Sequence, residues 1–233
     1  MPLTILSFFP SGSAQVLTEA ALREAAQTAR ALAPAKARVE VRSLDRTFVQ
    51  MRFPEGGGAP EVVIDGERLA PLFAPAVMTI TFDDNIEDAY LRVSQTADAL
   101  HGKLGARGTG IFDGRLHLDE IREGATRGVL ALAMNVRRSD MDRDDYFHYY
   151  LGRHVPMAIR LTPPLVIRYR TFRPLHTLGD FRADSVTFQE FESEATLMAF
   201  FQARVADGDA ARDDAAEFIQ SLVYYVGERA VSA

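Results

Sequence analysis

The stretch Asp142–Pro156, DRDDYFHYYLGRHVP, reads as a helix that opens on carboxylates and closes on His-x-Pro. Carboxylates crowding a helix start cap its free N–H groups and complement its dipole. Inside the stretch, Tyr146, Tyr150 and His154 recur every four residues, so their side chains fall close to one stripe of the helix surface. Two phenols and an imidazole can therefore meet at a single surface.

Working outward, the pattern predicts a helix over Asp144–Leu161, a strand before it at Gly128–Val136 and a strand after it at Leu165–Phe172. A strand at Asp184–Phe191, helices at Glu194–Val205 and Ala210–Gln220 and a last strand at Leu222–Glu228 complete this half. Upstream, the same rhythm predicts a strand at Leu3–Phe9, a helix at Ser13–Leu32, a strand at Arg38–Phe48, a strand at Ala76–Phe82 and a helix at Ile86–Leu100. A Gly/Pro-rich loop (Phe53–Pro60), a small hairpin around Asp65-Gly66 and a hairpin turn at Asp113-Gly114 within Gly110–Leu118 fill the gaps. The polar run Asp119–Arg127 reads as a linker.

Both halves thus read β-α-β-β-α-β, an α+β class built of two tandem ferredoxin-like units, residues 1–124 and 125–233. Each unit leaves one sheet face bare, and two bare faces are expected to close on each other as an α/β barrel. Along Gly128–Val136, the bulky Leu130, Leu132, Met134 and Val136 alternate with Val129, Ala131, Ala133 and Asn135. The bulky face is expected to meet the helices. The small and polar face, with Thr187 and Gln189 from the next strand, is expected to line a barrel cavity.

With 233 residues and 47% hydrophobic composition, the chain has material for a substantial core. A net charge of -6 and the lack of any Lys/Arg run argue against a nucleic-acid partner. There is no cysteine, hence no disulfide, thiolate nucleophile or cysteine metal site. The apolar run near the N-terminus is too short for a membrane span and lacks a basic lead-in, so a soluble, cytoplasmic protein is expected.

The second half, from about Gly128 to Val231, resembles the EthD family of dimeric α/β-barrel proteins. The resemblance rests on Asp142, Tyr146, Tyr150, His154-Val155-Pro156 and Tyr169, on Glu192-Ser193-Glu194-Ala195, and on Asp214, Phe218 and Glu228. The first half has neither the His-x-Pro nor the aromatic pair and reads as a degenerate repeat. The resemblance implies the barrel fold and a small-molecule setting. Proteins of this type include cofactor-free monooxygenases, polyketide cyclases, dehydratases and isomerases, and fold does not choose among them.

His154 is the expected acid or base, because imidazole exchanges protons near neutral pH. A histidine at a helix C-terminus also complements the dipole, which is the competing structural explanation. Tyr150, one turn earlier, is its expected catalytic partner as orienter or oxyanion donor. Tyr146, Tyr169, Asn135, Thr187 and Gln189 are expected to contact substrate, Tyr146 being the one that most resembles a core aromatic. His148 falls on the opposite side of the helix.

The run Asp140-x-Asp142-x-Asp144-Asp145 fails as a calcium loop, having Asp145 where glycine is required and Leu151 where glutamate is required. No phosphate loop or nucleophile elbow appears. Neither metal nor cofactor is expected. The leading expectation is a lyase or isomerase performing acid/base chemistry (dehydration, cyclisation or isomerisation) on a small apolar, aromatic or polyketide-like substrate. The alternatives are a cofactor-free monooxygenase and a non-catalytic binding protein. Two halves in one chain are coherent with a monomer carrying an internal pseudo-dimer, and equally with a homodimer.

Overall fold

The computed structural model describes residues 3–9, 18–55, 59–64, 73–82, 89–120, 128–161, 165–206 and 209–233. The first half carries β1 (Leu3–Phe8), α1 (Glu19–Leu32), β2 (Arg38–Ser43), β3 (Arg46–Arg52), β4 (Glu61–Ile64), β5 (Ala76–Thr81), α2 (Ala89–Leu104) and β6 (Gly108–Asp119). The second carries β7 (Val129–Arg137), α3 (Arg143–Tyr149), a π-helical turn (Tyr150–His154), α4 (Val155–Leu161), β8 (Val166–Gly179) and β9 (Ser185–Phe191). It ends with α5 (Glu194–Val205), α6 (Ala210–Ala215), β10 (Ile219–Gly227) and β11 (Ala230–Ser232).

The strands pair antiparallel in the order β11-β2-β5-β1-β6-β8-β9-β7-β10-β3-β4. Within it, β2-β5-β1-β6 and β8-β9-β7-β10 repeat one ferredoxin-like order, second-third-first-fourth. The halves join where β6 pairs β8 along nearly its whole length. On the other side β3 pairs β10 while β2 pairs β11, so the two kinked strands β2–β3 and β10–β11 run together and close the ring. At their crossing, the Asp45 N–H donates to the Val226 carbonyl (2.7 Å) and the Ser43 N–H to the Arg229 carbonyl (2.9 Å). Gly227 is obligatory there, because a Cβ would stand 1.7 Å from the Ser43 carbonyl oxygen. The result is an α/β barrel of two ferredoxin-like halves.

Side-chain alternation divides the burial into three clusters. On the first half, Leu22, Ala26 and Ala29 of α1 and Val93, Ala97 and Leu100 of α2 cover Val39, Val41, Met78 and Ile80. Inside the barrel, Leu6, Phe8, Phe112, Leu130, Leu132, Phe172, Val186 and Phe188 interdigitate. The second-half helices cover the remaining face of β7–β10 with a cluster dominated by aromatic rings.

This arrangement reverses the expected sidedness. The bulky Leu130 and Leu132 fill the barrel, whereas Ala131, Ala133 and Asn135 face the helices. The helices bring the bulk themselves, as Tyr146, Tyr150, Phe200 and Phe201, so their sheet partners must be small. The cavity containing His154 consequently lies under the helices rather than in the barrel.

Other expectations are also corrected. The predicted strand Arg38–Phe48 is two strands, because the chain bends at Leu44-Asp45 to change partner from β5 to β10. Asp113-Gly114 is no turn. β6 runs straight through it, held by β1 on one side and β8 on the other, and Gly114 allows close approach: a Cβ would lie 2.9 Å from Thr4 Oγ1. The helix predicted over Ala210–Gln220 ends at Ala215, where pairing of β10 with β7 begins to claim the backbone from Ile219. The starts at Ser13 and Ile86, the Asp65-Gly66 hairpin and most of the 119–127 linker lie outside the described residues.

Candidate functional site

The site is built on α3, the π turn and α4, which together span Arg143–Leu161. Asp142 caps α3, accepting from the Asp145 N–H at 2.8 Å. After Tyr149 the helix widens into the π turn, in which the Val155 N–H reaches back to the Tyr150 carbonyl. Such turns recur at functional sites. Through it the rings of Tyr146, Tyr150 and His154 remain stacked, with centroids 5.6 Å and then 5.9 Å apart and planes within 25°. Phe218 braces all three, at 5.7, 5.7 and 4.8 Å.

Their polar ends meet the small face of the sheet. The Tyr150 hydroxyl hydrogen-bonds with Thr187 Oγ1 and the Tyr146 hydroxyl with Ser185 Oγ (2.7 Å), while Asn135 Nδ2 donates to Ser185 Oγ at 2.9 Å. Burial pushes the Tyr150 phenol up to about 12, outweighing the hydrogen bonds from Thr187 and its neighbours that pull it down. Burial likewise raises Tyr146 and Tyr169 well above the ordinary phenol value. These phenols stay protonated at neutral pH and act as hydrogen-bond donors, not bases.

His154 and Asp214 form the ionisable centre. His154 Nδ1 lies 2.9 Å from Asp214 Oδ2, the two side chains being 12% and 6% exposed. The Tyr149 hydroxyl donates to Asp214 Oδ1 at 2.8 Å, and Arg153 Nε stands 3.3 Å from the same oxygen. Burial raises the Asp214 pKa, but the hydrogen bonds from His154 and Tyr149 and the nearby positive charges outweigh it, leaving the carboxyl below its ordinary value. A carboxylate at Nδ1 selects the tautomer with its proton there. Nε2 is then the ring nitrogen left to accept a proton.

A cavity of about 590 Å³, counting its mouth and crevices, adjoins this centre. Asn135, Tyr169, Thr187, Gln189 and Tyr224 line it from the sheet, and Tyr150, His154, Phe200, Phe201 and Arg204 from the helices. Gln189 is 3% exposed and its Oε1 has no hydrogen-bond partner among the described residues, an acceptor suited to a ligand O–H or N–H. Six of the seven residues expected from sequence therefore share this cavity. Tyr146 does not: it is fully buried between Phe147, Tyr150 and Phe218, where it supports Tyr150. His148 is exposed on the far side of the helix.

Sequence reading did not select Asp214, Tyr149 or Arg204 as site residues. Asp214 lies sixty positions beyond His154, with no spacing rule to join them. The signal that the sequence offered for it was its part in the resemblance described above.

No family model matches the chain, and no curated protein matches it. Among solved structures, an anthrone oxidase-like protein aligns over 100% of this chain and 93% of its own, at 13% identity and a TM-score of 0.55. A candidate monooxygenase from Fusobacterium nucleatum aligns over 98% of this chain and 93% of its own, at 9% identity and a TM-score of 0.47. Chlorite dismutase from Candidatus Nitrospira defluvii (R173A variant) aligns over 98% and 91%, at 12% identity and 0.49. At these identities the likeness concerns the fold.

Proposed function

We propose that this chain is an enzyme that abstracts a proton from a small, largely apolar carbon or phenolic acid held under the second-half helices. The observation that carries this reading is the His154–Asp214 pair at the cavity wall, which presents an imidazole nitrogen as a base beside protonated phenols. A proton passes from substrate to His154 Nε2, and the electron pair delocalises onto a substrate oxygen. Asp214 stabilises the resulting imidazolium without taking the proton itself. Tyr150, and Tyr169 beside Gln189, are the donors available to the developing oxyanion. Apolar walls from Phe200, Phe201, Ala133 and Leu222 suit aromatic or polyketide-like carbon skeletons.

The same first step serves elimination of water, cyclisation and isomerisation, and it also serves reaction of the carbanion with dioxygen. An acid/base centre alone suffices for the first three, so a lyase or isomerase is the leading reading. The oxygen-consuming reading gains its specific support from the anthrone oxidase-like neighbour, which shares the whole fold. Product analysis on a panel of anthrones and β-keto compounds, run with an oxygen electrode, separates them. Uptake of oxygen that requires substrate marks the monooxygenase, and an anaerobic product marks the lyase or isomerase. If a His154→Ala variant binds a ligand and matches wild-type turnover of it, the assignment of His154 as the base is overturned; ligand binding without turnover by the wild-type chain marks a binding protein.

A further inference from the structure

A second and larger opening, about 1230 Å³ counting its mouth, lies at one end of the barrel, on the opposite face of the sheet from His154. Strand alternation explains its chemistry. β2 turns Val39 and Val41 toward the first-half helices and so sends Arg38, Glu40 and Arg42 to the barrel side. β8 and β9, which give Tyr169 and Gln189 to the His154 cavity, place Arg168, Arg170 and Glu190 on this other face.

The charges here are unequal. Glu190, 0% exposed, is held by Arg42, by Arg168 at 3.4 Å and by Arg170 at 3.2 Å. Glu40 accepts from Arg42 Nε at 2.7 Å, and Asp119 from Arg168 at 3.1 Å. Three guanidinium groups, of Arg42, Arg168 and Arg170, thus meet three carboxylates, each already engaged by arginine; Arg115 at the opening pairs with Asp113 at 3.4 Å, while Arg38 at the rim has no ion-pair partner among the described residues. Thr4, Thr79 and Thr81 line the same opening. Thr79 is 3% exposed, and neither its Oγ1 nor the buried Nε of Arg170 has a hydrogen-bond partner among the described residues. Unpaired donors this deep are uncommon in folded proteins, and guanidinium forks with hydroxyls are the groups that recognise oxyanions.

We infer that this barrel mouth is a second binding site, specific for a small oxyanion of the carboxylate or phosphate type, with Arg38, Arg170 and Thr79 as its contacts. It is independent of the His154 cavity, from which β8 and β9 separate it. Calorimetric titration of the full chain with inorganic phosphate and, separately, with citrate tests it, against potassium chloride at matched ionic strength. Saturable binding of one anion per chain is expected, weakened ~10-fold by Arg38→Gln, which removes a charge-assisted contact at an exposed position. Thr79→Val, nearly isosteric and free of a folding penalty, is expected to weaken it several-fold. Binding of phosphate alone or citrate alone identifies the headgroup. Saturation by neither anion, or affinity unchanged in both variants, overturns the inference.

Discussion

At the scale of single residues, the chemistry of the site depends on which groups hold protons. Asp214 has a pKa below its unfolded value, so the stability it contributes is full above pH ~4 and is lost as pH falls through the folded pKa. Asp214→Asn should therefore flatten the acid side of the stability–pH curve measured by denaturant titration. The same variant leaves Nδ1 facing an amide, and turnover should fall at least ~10²-fold through loss of tautomer control. Tyr150 behaves in the opposite sense: its pKa is raised to about 12, so its contribution is present below pH ~10 and lost as pH rises through 12. Ultraviolet titration should show the Tyr150 phenolate, assigned by difference against Tyr150→Phe, appearing only with alkaline unfolding. A phenolate at pH 10 in the folded protein would contradict its burial.

At the scale of elements, the helix–π turn–helix from Arg143 to Leu161 presents the site, and its one glycine tolerates a side chain. A Cβ at Gly152 would meet nothing within 4 Å, so Gly152→Ala should stabilise the fold by about 0.5–1 kcal/mol, read from the denaturation midpoint. The Tyr146–Tyr150–His154 stripe was legible in sequence because helical periodicity fixes which side chains share a face. The π turn was not, since nothing in the residue pattern distinguishes it from an ordinary turn. Nor was the sidedness of β7: alternation separates Leu130 and Leu132 from Ala131 and Ala133, but only the aromatic bulk on the opposing helices decides which set meets them.

At the scale of the whole molecule, ring closure ties the first half to the site. β3 of the first half pairs with β10, and its Met51 lines the His154 cavity, so the first half completes the chamber. Repetition of the β-α-β-β-α-β order made the barrel legible, whereas the kinks at Leu44-Asp45 and Gly227 depend on contacts far apart in sequence. Gly227→Ala should be severely destabilising, because its Cβ would collide with the Ser43 carbonyl oxygen. Removing Arg42, which joins β2 to the buried Glu190 of β9, should cost about 3–5 kcal/mol in Arg42→Ala through an under-compensated carboxylate. Both are measured by equilibrium unfolding, where loss at this seam should lower both halves together.

The most direct measurement of the central claim is exchange of the acidic substrate hydrogen for deuterium in D₂O, followed by NMR under anaerobic conditions. It registers proton abstraction whatever reaction follows. With a carbon acid that binds the cavity, wild-type protein should catalyse exchange and His154→Ala should lose ~10²- to 10⁴-fold of that rate while binding the same compound. Equal exchange rates in the two proteins would contradict the assignment of His154 as the base.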